Sequence, residues 1–419
     1  MMDLSITVGI KIIKRTFTLS QGREPIRILI IPHQPNRNVR VRSLELARHL
    51  ASKPEYEVYV LSWRLRERSH PNPFIKFGFK IQQNMESGSI EPQTREEKGI
   101  HWVRLPHLLA PHLICQDFNL KQLQKFVKKN RIQVIISGNT YHFPMPKRSS
   151  LLRIYDVLDD YISPNTTPNW RLTRGFIQGE LKKADYILTI SHALQVELEK
   201  LGYNQSIRIP NGAAWQTYTT DNSKAIESIK ERYGLQNSFI ITCIGNHDWW
   251  TDMDFLLEAF SRVRIHVPNS RLLIVGPGNG LPECQKPDPD RPGVIYTGPI
   301  PPDEIAAYFQ VSHLGVVPYI PCPFTHKALP LKVLEYGAAR KRVLAPPLTE
   351  LATLQLPHVQ LLEPDKTLWS ETLIQESLEP TPWDPDWDQV IQQYDWPQLW
   401  HPVEQILETH FGVQNEATV

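Results

Sequence analysis

The stretch Ala328-Leu-Pro-Leu-Lys-Val-Leu-Glu-Tyr-Gly-Ala-Ala339 completes the clearest structural pattern in this sequence. An unbroken apolar run, Leu314-Gly-Val-Val317, precedes it and predicts a buried strand of the parallel type. Pro330 stands where a helix can begin, because the N–H group that proline lacks has no intrahelical partner in the first turn. The stretch therefore predicts a strand, a loop and a helix in succession.

The predicted helix has an apolar face and several polar positions. Its apolar residues recur at helical spacing and are expected to face a sheet: Leu331, Leu334 and Ala338. Other faces of the helix are expected to carry Lys332, Glu335 and Tyr336. A lysine in the first turn opposes the helix macrodipole, and His326 and Lys327 crowd the same end. An anion held by these cations and the free N–H groups would resolve the conflict, so the pattern predicts a phosphate site. A solvated basic loop is the alternative.

The composition is that of a protein with two ordinary domains. The 419 residues suffice for two domains of about 200 residues each. Hydrophobic residues make up 41% of the chain and the formal net charge is +2, so no overall field favours nucleic acid. No run of about 18 consecutive apolar residues predicts a membrane span, although the segment 1–15 leaves peripheral contact with the inner membrane face open. The four cysteines lack zinc-ligand spacing, and reduced thiols in the cytoplasm are expected.

Strand and helix patterns alternate along the chain and predict an α/β protein with two doubly wound, Rossmann-like sheets. The first domain is expected over residues 25–212 and the second over residues 238–394, with a linker at 213–237. Residues 1–24 are predicted to form an N-terminal extension, and residues 395–419 a final helix and tail. Ser62 to Gly99 is predicted to be a long excursion without regular structure.

Polar residues follow the first strands at positions that face the crevice of an open α/β sheet. The first such loop runs from His33 to Arg40. A later strand, Leu151 to Leu158, runs directly into Asp159 and Asp160. These carboxylates are candidates for proton transfer, and a plain cap or turn is the alternative interpretation.

Two glycine-bearing loops follow strands in the second half. Gly276-Pro-Gly278 lacks the following helix and the acidic partner of a dinucleotide site, but its glycines allow a ligand to approach the backbone. Gly245-Asn-His247 follows another strand. The patterns Asp252-Met-Asp254 and Asp288-Pro-Asp290 are interpreted as a helix cap and a turn, so no metal site is predicted.

Six short motifs occur in order between residues 26 and 362: Tyr155-Asp-Val-Leu-Asp-Asp160, Ala184-Asp-Tyr-Ile-Leu-Thr-Ile-Ser191, Pro210-Asn-Gly212, Leu273-Ile-Val-Gly-Pro-Gly278, Gly315-Val-Val-Pro318 and Pro330-Leu-Lys-Val-Leu-Glu-Tyr336. Their order and spacing resemble those of GT-B glycosyltransferases of family 4, the glycosyl transferases group 1. The resemblance implies two Rossmann-like domains that face each other across a cleft. In that family the first domain holds the acceptor, the second holds the nucleotide sugar, and a C-terminal helix crosses back to the first domain.

The resemblance also implies roles for individual residues. Glu335 matches the second glutamate of the family's E-x7-E motif, which hydrogen-bonds the nucleotide ribose. Lys327 stands where the first glutamate would engage the donor sugar, so changed sugar handling is expected. The diphosphate-binding Arg and Lys that normally follow Gly245 are replaced by Asn246 and His247. Lys332 and the helix N-terminus are therefore expected to hold the diphosphate.

The expected function is a retaining, metal-independent, hexosyl-type glycosyltransferase of polysaccharide biosynthesis. It would move a sugar from a nucleotide-diphosphate sugar to a glycan, lipid-linked or small-molecule acceptor, without a cofactor. A non-catalytic GT-B nucleotide-binding or scaffold protein and a nucleotide-sugar epimerase are the alternatives. The expected donor-binding residues are Gly245, His247, Gly276, Gly278, Pro318, Lys327, Leu331, Lys332 and Glu335. The expected acceptor-binding residues are His33, Asn36, Arg40 and Arg42, and the expected catalytic residues are Asp159, Asp160 and Lys332.

Overall fold

The computed structural model describes residues 24–33, 41–63, 91–108, 113–147, 150–164, 170–278, 281, 286–288 and 291–412. These residues form an eight-stranded sheet and a seven-stranded sheet. Each sheet lies between two hydrophobic clusters, one on each face. The predicted α/β class with two doubly wound domains is confirmed.

The first sheet has the strand order β3-β4-β2-β1-β5-β6-β7-β8. Neighbouring strands run parallel, except that β3 is antiparallel to β4. The strands are β1 Ile26–Ile31, β2 Tyr56–Leu61, β3 Gln93–Glu97, β4 Ile100–Arg104, β5 Val134–Ser137, β6 Leu152–Val157, β7 Tyr186–Thr189 and β8 Ser206–Arg208. The helices of this half are Arg42–Ala51, Leu113–Lys129, Trp170–Leu181 and His192–Lys200.

The second sheet has the strand order β11-β12-β10-β9-β13-β14-β15, with only β11 antiparallel to its neighbour. The strands are β9 Phe239–Ile244, β10 Ser270–Val275, β11 Lys286–Pro287, β12 Val294–Gly298, β13 Leu314–Val316, β14 Arg342–Ala345 and β15 Val359–Leu361. The helices from residue 215 onward are Trp215–Thr219, Ser223–Tyr233, Met253–His266, Ile305–Gln310, Pro323–Lys327, Leu331–Ala338, Thr349–Leu354, Lys366–Leu378, Trp387–Gln392, Trp396–Leu399 and His401–Phe411.

Strand β1 explains why the first sheet is covered on both faces. Its successive side chains alternate between the faces. Leu29 and Ile31 enter one hydrophobic cluster, whereas Ile28 and Ile30 enter the other. A strand with four successive apolar residues, as at 28–31, must be buried on both sides, which is typical of parallel sheets. Strand β10 repeats this arrangement in the second sheet.

The final helices complete the core of the first domain. Trp400 and Leu407 are fully buried in the same cluster as Ile28 of β1. The rings of Trp396 and Trp400 stack with centroids 5.3 Å apart. The Ala213 amide donates to the Tyr394 carbonyl oxygen at 2.9 Å. The two segments that connect the domains, one near Ala213 and one near Tyr394, therefore lie side by side. The predicted return of the C-terminal helix to the first domain is confirmed.

The segment predicted as a linker, 213–237, contains two helices, Trp215–Thr219 and Ser223–Tyr233. The structure corrects two predicted details. Strand β3 lies within the segment 62–99, for which no regular structure was expected. Tyr336 is fully buried and is not on a polar face, because Gly315 opposite has no side chain. A Cβ atom at Gly315 would lie 2.7 Å from the Tyr336 ring.

Candidate active site

Two glycine loops meet at the carboxyl edge of the second sheet. Gly276 has a φ of +115°, and a Cβ atom there would lie 1.9 Å from the Gly245 carbonyl oxygen. A Cβ atom on Gly278 would lie 2.7 Å from the His247 carbonyl oxygen. Only glycine fits at either position. The loops after β9 and β10 are therefore pressed together, and this contact fixes the floor of the cleft on the second-domain side.

A small pocket at this edge gathers four of the predicted donor-site residues: Gly245, His247, Pro318 and Lys332. His247 is buried, and its Nε2 donates to the Val275 carbonyl oxygen, 3.2 Å away. Burial, together with the nearby Lys332 charge, lowers the pKa of His247 to about 4. His247 is thus a neutral residue that braces the loop, and Lys332 is the cation of this pocket.

Lys332 and Glu335 form an ion pair within one helix. Lys332 Nζ lies 2.7 Å from Glu335 Oε2, and the residues stand one turn apart on Leu331–Ala338. Glu335 is only 3% exposed, and Tyr218 donates a 2.5 Å hydrogen bond to its Oε1. Tyr218 lies on the first helix of the linker, which has no apolar periodicity in the sequence. Its sequence distance of 117 residues from Glu335 explains why sequence reasoning missed it.

His33, Tyr161 and Asp159 lie together on the first-domain side. Tyr161 Oη lies 3.3 Å from His33 Nε2 and 3.3 Å from Asp159 Oδ2, and the two rings stack at 5.1 Å. Since Tyr161 donates its single proton to Asp159, His33 Nε2 carries a proton and donates to Tyr161. Burial raises the pKa of Asp159 to about 7 and lowers that of His33 to about 4. Asp159 therefore changes charge near neutral pH.

Asp160 instead bridges the two domains. Its Oδ1 accepts from the backbone amides of Ile162 and Ser163, as in the turn that was the alternative interpretation. Its Oδ2 lies 2.6 Å from Lys327 Nζ, which also donates to Ser163 Oγ at 2.9 Å. Glu197 lies 3.5 Å from the same Nζ. Asp160 is thus held in a turn and an ion pair across the cleft.

Glu350 makes a second connection between the domains. This fully buried carboxylate comes from the second domain and accepts from the His192 amide at 3.0 Å. It also accepts from the Ala193 amide at 3.3 Å, so it caps a first-domain helix that begins at His192. The Ser191 hydroxyl oxygen caps the same helix by accepting from the Leu194 amide. A negative charge is favourable at this helix end.

The predicted three-cation phosphate site is not assembled. Lys332 pairs with Glu335, and Lys327 pairs with Asp160. His326 Nδ1 accepts from the Thr349 amide at 3.2 Å. Because each cationic side chain faces a different partner, only Lys332 lines the pocket beside Gly245.

The expected acceptor residues have different locations. His33 faces the cleft beside Tyr161, whereas Asn36 and Arg40 lie outside the described residues. Arg42 is 5% exposed, and its Nε donates to Asp156 at 2.8 Å. The Arg42 guanidinium also lies 4.9 Å from the centre of a Trp400 ring. Arg42 therefore joins the first sheet to the tail and does not face the cleft.

Leu331 was expected to face the sheet of its own domain, and the structure places it elsewhere. It packs against the hydrophobic cluster of the first domain rather than against the second sheet. The N-terminus of its helix therefore lies at the junction of the two domains. Gly276 and Gly278 stay at the pocket's edge, where Gly278 pairs with His247.

Within the described ranges, no three His, Cys, Asp or Glu side chains form a group that could hold a metal ion. Among the same residues, no helix is long and apolar enough to cross a membrane.

Comparison with known proteins identifies the second domain. Residues 238–367 match the family described as Glycosyl transferases group 1. A Bacillus subtilis protein named for a glycosyltransferase of teichuronic acid biosynthesis, TuaH, is 28% identical over 238 residues, which are 52% of this chain. The chain spans only 57% of the length of that relative.

Solved structures match nearly the whole chain. Sucrose-phosphate synthase from Thermosynechococcus elongatus superposes with a TM-score of 0.66 at 15% identity, covering 93% of this chain and 100% of that one. HepE from Anabaena, in complex with UDP and glucose, superposes with a TM-score of 0.62 at 13% identity, covering 92% and 100%. The chain therefore has the GT-B fold, and residues 238–367 of its second domain are similar to the glycosyl transferases group 1.

Proposed function

We propose that this protein is a glycosyltransferase that moves a sugar from a nucleotide-diphosphate sugar to a hydroxyl group of an acceptor. The observation that carries the proposal is the Lys332–Glu335 pair, which lies beside Gly245 in a domain of the glycosyltransferase family. A carboxylate can accept from both ribose hydroxyls, and a cation at a helix N-terminus can bind a diphosphate. HepE, of the same fold, binds UDP and glucose.

In this proposal Lys332 and the first-turn amides of Leu331–Ala338 bind the diphosphate of the donor. Diphosphate binding gives Lys332 a second anion, and Glu335 accepts from the ribose through Oε2, the oxygen that Tyr218 does not contact. Positive charge beside the departing diphosphate stabilises the charge that develops when the sugar leaves. Catalysis without a metal and with retained anomeric configuration belongs to the same proposal.

The acceptor side offers one group suited to proton transfer. A general base works best when its pKa is close to the working pH, and burial raises the pKa of Asp159 to about 7. We assign Asp159 the role of accepting the acceptor's proton, with Tyr161 and His33 holding it in place. Asp160 is tied to Lys327 and is not a candidate for this role.

A second candidate function is a GT-B scaffold that has lost transfer. The observation that favours it is Lys327, which replaces the family's first motif glutamate and forms an ion pair with Asp160. If that pair replaces donor-sugar recognition, the protein would bind a nucleotide but would not transfer a sugar.

The test is a thermal-shift screen with UDP, GDP, ADP, CMP and dTDP and their sugar conjugates, followed by an assay for release of the nucleotide. One nucleotide diphosphate is expected to raise the melting temperature, since it binds only the folded protein. Lys332→Met should weaken its binding about tenfold, the effect of losing one charge-assisted hydrogen bond.

The matched control is Lys230→Met. Lys230 also pairs with a glutamate one helical turn away, Glu227, at 2.8 Å, but far from the pocket along the linker helix. The Lys230→Met variant should bind the nucleotide with the affinity of the wild type. Binding without nucleotide release from any sugar conjugate would favour the scaffold, and no melting shift with any nucleotide would reject both functions.

A further inference from the structure

The loop after β9 carries aromatic rings at the mouth of the cleft. Trp249 and Trp250 follow the pocket residue His247 in the chain, and their rings meet edge to face at 5.8 Å. Trp249 is 49% exposed, and no other tryptophan among the described residues is classed as exposed. An exposed ring two residues from a pocket residue is open to contact with a ligand.

Phe324 links these rings to the first domain. Its ring lies 5.3 Å from Trp249 and 6.0 Å from Trp250, centre to centre. On the other side it lies 6.1 Å from Tyr161, which belongs to the first domain. The four rings, Trp249, Trp250, Phe324 and Tyr161, are called the aromatic cluster below. The cluster spans the cleft from the donor-side loop to the predicted base.

The two ends of the aromatic cluster differ in chemistry. At one end Trp249 presents an exposed ring. At the other end Tyr161 Oη lies 3.3 Å from both Asp159 and His33. Lys327, which faces the same side of the cleft, is paired with Asp160 at 2.6 Å. The described part of the cleft mouth thus offers ring faces, a carboxyl group and a neutral imidazole.

A hexopyranose ring has matching chemistry. One face consists of C–H groups with small positive partial charges, which pack on the negative face of an aromatic ring. Its rim carries hydroxyl groups, which need donors and acceptors such as a carboxylate and a phenol. A phosphorylated or carboxylated ligand would instead require a free cation.

We propose that the aromatic cluster is a stacking subsite for an uncharged hexopyranose ring of the acceptor. Trp249 covers the apolar face of this sugar, and the sugar's hydroxyl groups are directed to the Tyr161 end of the cluster. The inference rests on the proposed function, since it names the acceptor class of that site, and it makes Trp249 a determinant of acceptor specificity.

The experiment measures sugar binding by saturation-transfer NMR. Methyl α-D-glucopyranoside, methyl α-D-mannopyranoside and methyl N-acetyl-glucosaminide are titrated separately, with the nucleotide diphosphate that gave the largest thermal shift. At least one sugar should bind the wild type. Trp249→Ala should raise its dissociation constant about tenfold and Trp249→Phe about threefold, as expected for loss or reduction of an aromatic contact. Nucleotide affinity should stay the same in both variants.

The matched control is Trp387→Ala. Trp387 is partly buried and meets Trp383 edge to face at 5.1 Å, with the interplanar angle of 77° that the Trp249–Trp250 pair also has. Because Trp387 lies on a helix away from the cleft mouth, its removal should leave sugar binding unchanged. Melting temperatures of all variants confirm that each is folded.

Several results would overturn the inference. Unchanged sugar affinity in Trp249→Ala, equal weakening in Trp387→Ala, or no binding of any of the three sugars would reject the subsite. A nucleotide affinity lowered by Trp249→Ala would place the ring in the donor site. Co-sedimentation with vesicles of anionic phospholipid that disappears in Trp249→Ala, without a change in sugar binding, would assign it to a membrane surface. These outcomes leave the nucleotide-binding test of the proposed function intact.

Discussion

Lys327 and Lys332 lie five positions apart, on either side of Pro330, and the fold uses them in different ways. Lys332 is 24% exposed and pairs at 2.7 Å with Glu335, one turn along its own helix. Lys327 is 17% exposed and pairs at 2.6 Å with Asp160, which lies 167 residues away on the other side of the cleft. One lysine belongs to a local pair in a pocket, and the other joins two domains.

The difference shows which part of a basic segment is available to a ligand. The Lys332–Glu335 pair lies within one helix, so a diphosphate that binds beside it can give Lys332 a second anion without separating the pair. A partly buried pair between domains leaves an uncompensated charge when it is broken. Three experiments test this comparison, beginning with the largest expected effect.

Asp160→Ala should destabilise the protein most. It removes the carboxylate that faces Lys327 and the acceptor for two backbone amides. The free energy of unfolding should fall by about 3 kcal/mol, at the lower end for a broken buried pair, because Glu197 still faces Lys327. Denaturation in urea measures the change.

Asp117→Ala is the control for that experiment. Asp117 pairs with Lys121 at 2.7 Å, but both side chains are exposed. Its loss should change the free energy of unfolding by less than about 1 kcal/mol. Equal effects of the two substitutions would mean that the link between Asp160 and Lys327 adds nothing to the stability of the fold.

Glu335→Ala should weaken nucleotide binding without loss of the fold. The expected cost is roughly 1.5–3 kcal/mol of binding free energy, the scale of a hydrogen bond to a charged group. Isothermal titration calorimetry with the selected nucleotide diphosphate measures it, and Glu227→Ala serves as the control on an exposed helix pair. An unchanged nucleotide affinity would mean that Glu335 does not contact the nucleotide, and would argue against a binding role for the Lys332–Glu335 pair.

Asp159→Asn should change how stability depends on pH. Burial raises the pKa of Asp159 in the folded protein to about 7, from an ordinary value of 3.8. The folded state therefore holds this proton more tightly, which stabilises the wild type below about pH 4 and is lost as the pH rises to about 7. Asparagine stays neutral, so the variant's melting temperature relative to wild type should rise by several degrees across this range, because a shift of about three pKa units is worth more than about 1 kcal/mol.

Scanning calorimetry at pH 4.5, 6 and 8 measures this difference. Asp117→Asn, on an exposed helix surface, is the control for the substitution itself. A constant difference for Asp159→Asn would mean that Asp159 is ionised throughout, and would argue against its role as a base with a pKa near neutrality.

Much of the fold could be predicted because its signals are local. The predicted strands at Leu314–Val317 and Leu151–Leu158 lie within one residue of β13 and β6, and the helix predicted to begin at Pro330 is Leu331–Ala338. Strand β3 was missed because all five of its residues, Gln93–Glu97, are exposed and none is apolar. A strand that pairs only by its backbone at the edge of a sheet leaves no hydrophobic pattern.

The site was predicted less completely, because its contacts join distant residues. Periodicity placed Lys332 and Glu335 one helical turn apart, but no local pattern pairs Glu335 with Tyr218 or Lys327 with Asp160. Arg42 was expected in the cleft because it follows the first crevice loop. Its actual partner, Asp156, lies 114 residues further along the chain. Tyr161 could have been noticed, since it directly follows the two aspartates.

The returning tail has a consequence for biosynthesis. Trp396, Trp400 and Leu407 pack in the same hydrophobic cluster as the side chains of β1. The first domain therefore lacks part of its core until the C-terminal helices have been synthesised. Domains of most multidomain proteins fold in order as they emerge. Here the first domain is expected to keep an exposed apolar face while the second domain folds. The last step of folding is then the docking of the C-terminal helices onto the first domain.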